Sequence, residues 1–132
     1  MIGIVVITHG GVAEELVNAA RNIVGEIPAI AAVSIGWTDD AGAANAAIEG
    51  GLREAGGGDI LVLTDMFGGT PTNLSLPLLS ERVEIVTGVN LPMIIKASAL
   101  REGTLVEVAR AVREQGKGAI YVASEILARG PA

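Results

Sequence analysis

Two short stretches of this 132-residue chain hold side chains fit for covalent chemistry. "THGG", Thr8 to Gly11, contains the single histidine of the protein, His9. "TDMFGGTPTN", Thr64 to Asn73, sets Asp65 just ahead of Gly68, Gly69 and a Thr-Pro step. An imidazole beside a carboxylate is a working pair. The carboxylate accepts the Nδ1–H, fixes the tautomer and leaves the Nε2 lone pair free to act as a base or a nucleophile. Gly68 and Gly69 allow a backbone to approach a ligand closely. Thr70 suits a helix N-cap and Pro71 the first helical position. Free N–H groups at such a helix start favour an anion, and the hydroxyls of Thr8, Thr70 and Thr72 are further donors. Histidine, carboxylate and anion cradle together would suit a phosphoryl group.

These stretches meet only if the elements carrying them are neighbours. Ile2 to Ile7, Ala29 to Ile35, Asp59 to Asp65 and Val83 to Gly88 read as strands, and "KGAIYVAS", Lys117 to Ser124, as a fifth. The strands are apolar throughout rather than alternating, as expected for strands covered on both faces. Helical spacing separates them. Leu16, Ala19, Ala20, Ile23 and Val24 form one stripe with Gly25 as its C-terminal cap, and an Ala-rich helix is capped by Asp39 or Asp40. A short helix after "GGTP" is interrupted by Pro77, and another helix follows Pro92. Leu105, Val108, Ala109 and Val112 share one further helical face, and "EILARGPA" reads as a short helix or a fraying end. Strand–helix alternation predicts a doubly wound, parallel α/β sheet. In such sheets ligands bind beyond the carboxyl ends of the strands, where strand order reverses. If the order is 2-1-3-4, strands one and three are neighbours there, and His9 faces Asp65.

The totals narrow the function. A net charge of −6 with no basic cluster argues against nucleic-acid binding. The chain has no cysteine for a disulfide or thiolate metal site. Asp39 and Asp40 read as a cap rather than a metal site, and no metal or cofactor is expected. No apolar run reaches the roughly 20 residues of a membrane span, and the N-terminus has no signal-peptide pattern. The expectation is a single cytoplasmic domain, residues 1–132, not embedded in a membrane. Plainer readings stand beside each candidate. His9 serves equally as a hydrogen-bonded structural residue, Asp65 as a turn former, and "GGTP" as an ordinary helix start. Met66 and Phe67 read as packing residues, Trp37 as a loop cover, and Asn90 and Pro92 as pocket lining or turn formers. A hydrolase with His9 as base and a threonine nucleophile is a further reading, weakened by the absence of a nucleophile elbow.

"IGIVVITHGGVAEELVNAA", "VLTDMFGGTPTN" and "EIVTGVNLPM", in this order, resemble the IIA component of the mannose-type bacterial phosphotransferase system, over nearly the whole chain. The resemblance implies a parallel sheet of order 2-1-3-4 and a fifth, antiparallel strand exchanged within a homodimer, here "KGAIYVAS". It implies a phosphoryl carrier: His9 accepts the group at Nε2 from the phosphohistidine of HPr and passes it to a IIB component for sugar uptake. Asp65 is implied as the residue that orients His9, and Gly68 to Thr70 as the phosphate-side turn. Phe67 stands where many such proteins have Trp or Leu, and no IIB domain follows in the chain. A free-standing regulatory phosphorelay, not coupled to transport, is the alternative within the same resemblance.

Overall fold

The computed structural model describes residues 1–128. Its elements are β1 (Gly3–His9), α1 (Val12–Val24), β2 (Ile30–Ile35), α2 (Ala41–Glu54), β3 (Ile60–Thr64), α3 (Thr70–Ser75), β4 (Val83–Val86), α4 (Leu91–Ala99), α5 (Leu105–Gly118) and α6 (Ala123–Ala128). The four strands form one parallel sheet in the order β2-β1-β3-β4. The reversal of order at β1 and β3 brings the chain segments after these two strands side by side.

Period-two alternation divides β1 between two cores. Ile4 and Val6 join α1, α4 and α5 on one face, with Val17, Ile94 and Val112 among their neighbours. Val5 and Ile7 join α2 on the other, with Ala44 and Ile48. All four β1 side chains are shut off from solvent. Burying each contributes on the order of 1.5–3 kcal/mol, which makes β1 the rigid centre on which His9 is mounted.

Helix ends follow local chemistry. Asp40, rather than Asp39, caps α2 by accepting the Ala43 N–H at 2.7 Å. Gly25 closes α1 with φ 88°, its N–H bonded to the Arg21 carbonyl. Pro77 ends α3, and the chain continues as a 3₁₀ turn, Leu76–Leu78. The expected α5 face of Leu105, Val108, Ala109 and Val112 is buried. Arg101 is buried too, and its guanidinium donates to the carbonyls of Ile2, Pro28 and Ala29, tying the start of β1 to the approach to β2.

One expectation fails, and another has no counterpart within a single chain. On α1 the buried residues are Ala13, Val17 and Ala20, while Ile23 and Val24 are exposed. The last turn of the helix is thus left uncovered by the rest of the fold. Among the described residues the fifth strand does not form within one chain. α5 takes up Lys117 and Gly118, α6 takes up Ala123 and Ser124, and the four residues between pair with no strand. An apolar run has strand composition, but without a neighbouring edge its N–H and C=O groups have no ladder to join. Of the tail "EILARGPA", residues 125–128 are helical and the rest lies outside the described residues. Among the described residues no helix is long and apolar enough to cross a membrane.

Candidate functional site

His9 is the last residue of β1, and Asp65 follows the last residue of β3. The pairing of Ile7 with Thr64 puts both residues at one sheet edge. Asp65 Oδ2 accepts twice from His9: from the backbone N–H at 2.9 Å and from ring Nδ1 at 2.7 Å. Oδ1 accepts the Met66 N–H at 3.0 Å. Partial burial alone would raise the Asp65 pKa. The hydrogen bonds from His9, backbone and ring, and the attraction of the ring's charge outweigh it and hold the carboxyl below its ordinary value. The carboxylate is therefore ionised and acceptor-only, so Nδ1 is the nitrogen that donates to it, and in the neutral ring Nε2 carries the lone pair.

Gly69 faces that Nε2 edge. A Cβ at Gly69 would lie 2.5 Å from His9 Cε1 and 2.9 Å from Nε2, so any side chain there collides with the reactive edge of the ring. The turn reaches this position because Gly68 adopts φ 93°, a conformation that favours glycine. The turn is braced from behind. Asn73 Nδ2 donates to the Gly68 carbonyl at 3.2 Å, and the Asn73 N–H to the Gly69 carbonyl at 2.9 Å.

The threonines separate into different roles. Gly69, not Thr70, is the N-cap of α3, and Thr70 is the first helical residue, exposed and making no cap bond. The positive φ of Gly68 carries the chain into the helix one residue earlier than the Thr-Pro pattern suggests. Thr72 is buried, and its hydroxyl donates to the Met66 carbonyl at 2.6 Å. With that proton committed, the 2.7 Å contact with Thr64 Oγ1 is a bond donated by Thr64. The Thr72 hydroxyl is thus a brace inside the turn and does not serve as a donor to a ligand. Thr8 is buried as well and accepts the Ala13 N–H at 2.7 Å, capping α1 where Gly11 has no side chain to do so. Asn90 caps α4 through Met93 and donates to the Gly116 carbonyl, which makes it a turn former.

Two features escaped the sequence. Met66 and Phe67 are exposed rather than packed, beside the site. Trp37, in the loop after β2, stacks on His9 with ring centroids 5.5 Å apart and planes 20° from parallel. Its place in "GWTDD", past the end of the strand next to β1, was the available signal.

Comparison with known proteins finds relatives of this chain and of its fold. A family model described as the PTS system fructose IIA component matches residues 3–112. The PTS system mannose-specific EIIAB component of Escherichia coli (strain K12) is 32% identical over 109 residues, which is 76% of this chain and 32% of that protein. The chain thus spans about a third of the length of the first curated relatives it matches. Among solved structures, the mannose/sorbose specific IIA subunit of the phosphotransferase system from Enterococcus faecalis superposes with a TM-score of 0.84 at 31% identity, over 92% of this chain and 93% of that one. The phosphotransferase system component EIIA from Streptococcus agalactiae, 24% identical, shares the fold, with a TM-score of 0.86 over 95% of this chain and 99% of its own.

Proposed function

From the premise that this chain belongs to the IIA family of the sugar phosphotransferase system, we propose that it carries the phosphoryl group on His9 Nε2, taking it from the phosphohistidine of HPr and yielding it to a IIB histidine. The observation that carries the reading is the 2.7 Å bond between Nδ1 and Asp65, with Nε2 directed toward Gly69.

In the step, the Nε2 lone pair of neutral His9 forms the new P–N bond. The P–N bond of the donor breaks, and its electron pair returns to the donor imidazole nitrogen. Positive charge develops on the His9 ring while its Nδ1 proton stays in the bond to Asp65. Onward transfer is the same step with the roles reversed. No other covalent machinery is called for, because phosphoryl transfer depends chiefly on alignment and charge stabilisation. The N–H groups that open α3 lack intrahelical partners and supply donors for the phosphoryl oxygens alongside Gly68, Gly69 and Thr70.

With phosphoenolpyruvate, enzyme I and HPr, the intact mass should rise by one phosphate. The increment should be labile to acid and located on the His9 peptide. An unmodified chain in the presence of active donors overturns the reading.

The exchanged strand belongs to the same proposal. Among the described residues, Ile120, Tyr121 and Val122 are exposed and pair with no strand, and no strand pairs with the outer edge of β4. Beside that edge lies a groove of about 540 Å³, its apolar lining of Leu76, Leu79, Ile85 and Val106 interspersed with Glu84, Arg110 and Arg113. The apolar segment of one chain pairing antiparallel with β4 of a second would cover both. Sedimentation equilibrium should then give a dimer, weakened at least tenfold by Val122→Asp. A monomer at all concentrations refutes the exchange.

A further inference from the structure

Trp37 is the only tryptophan in the chain, and it is four-fifths exposed. Core packing does not account for an indole in that position. Its loop is nonetheless held firmly. Asp39 Oδ2 accepts the Gly36 N–H at 2.8 Å, the Asp39 N–H donates back to the Gly36 carbonyl at 3.1 Å, and Asp40 caps the helix that follows. The next residue after His9 makes room for the ring. Gly10 has φ 54°, and a Cβ there would lie 3.2 Å from Trp37 Nε1. The Gly10 N–H is bonded to the Ile35 carbonyl, which joins the ends of β1 and β2 at 2.8 Å. The indole therefore lies along the His9–Gly10 step, with its face on the imidazole.

We propose that Trp37 is a positioning residue for phosphoryl transfer: its face fixes the plane of the His9 ring and stabilises the positive charge the ring acquires when Nε2 binds phosphorus. The proposal rests on the carrier reading above and adds a residue to it. Asp65 holds the ring at one nitrogen, and a stacked face adds a second restraint on the ring plane. A centroid separation of 5.5 Å lies within the range at which a cation is attracted by an aromatic face. The interaction favours the charged ring over the neutral one, so it acts on the rate of transfer more than on docking of the donor.

The test has two parts. Because Trp37 is the sole tryptophan, its emission reports the stack directly. Emission of the unphosphorylated protein should change on His9→Ala, and emission of the wild type should change on phosphorylation. Emission indifferent to both overturns the stack in solution. Kinetically, Trp37→Ala should lower the saturating rate of transfer from phospho-HPr by about 3- to 30-fold with little change in KM, and Trp37→Phe should recover most of the loss. A rise in KM alone would make Trp37 a donor contact and overturn the positioning role, as would rates equal to wild type. A wild type that takes no phosphate overturns the carrier reading and the role with it. A wild type that takes phosphate while Trp37→Ala keeps pace overturns the positioning role alone.

Discussion

His9→Ala should take up no phosphate and should still fold. The loss is chemical, because the chain has no second imidazole to accept the group. The fold survives for reasons visible at the site. The His9 side chain is at the rim of the sheet, about one-quarter exposed, and the β1 core beneath it ends at Ile7. Without the ring, Asp65 still accepts the backbone N–H groups of residue 9 and of Met66, so no buried charge is stranded. Circular dichroism and thermal unfolding should match wild type to within about 1 kcal/mol, the range of substitutions that leave no buried group unpaired. Phosphate found on this variant would place the acceptor elsewhere and end the proposal for His9.

Asp65→Asn should slow phosphoryl transfer by roughly 10²- to 10⁴-fold, the loss usual when an orienting carboxylate or a single charge-stabilising group is removed from an active site. The carboxylate accepts three N–H donors, two at Oδ2 and one at Oδ1. An amide has one acceptor oxygen and two donor hydrogens, so at least one of those N–H groups would face another donor. If the ring is the group displaced, it can turn over or change tautomer, and Nε2 ceases to be the free lone pair. The charge opposite the developing imidazolium is lost in every arrangement. Single-turnover transfer from phospho-HPr measures the effect, and a rate within threefold of wild type would remove Asp65 from the step. The same substitution should alter acid stability. The folded pKa lies below the ordinary 3.8, so the contribution of Asp65 to stability is fully present above that value and is lost as the pH falls through the lower, folded one. The variant should show a shallower loss of stability over that acid range.

Much of the architecture was legible because the pattern had one physical solution. Continuous apolar runs at Ile4–Ile7 and Leu61–Leu63 need cover on both faces, and the helices between supply it. Once the order 2-1-3-4 held, the meeting of His9 and Asp65 followed from the ends of β1 and β3. What the pattern could not convey depends on turns of particular shape. Thr72 was credited with a ligand-facing hydroxyl, but the fold of Met66 to Gly69 brings the Met66 carbonyl closer to it than any ligand. Trp37 was read as a loop cover because stacking requires knowing how the loops after two strands lean together. The run Ile120 to Val122 has the composition of a strand and none of its pairing, since composition does not say which chain supplies the edge.

The double acceptance at Asp65 Oδ2 has a consequence for pairing fidelity. One oxygen holds both the main chain of His9 and its ring, so the catalytic geometry is tied directly to the register of β1 against β3. A slip of one residue would move His9 off its present register with β3 and turn Leu61 and Leu63 toward the opposite core. A misregistered sheet could retain its helices and its compactness, yet the pair of hydrogen bonds from His9 to one Asp65 oxygen would be lost. Competence to accept phosphate is therefore a readout of correct strand alignment at the centre of the domain, sharper than any measure of secondary-structure content.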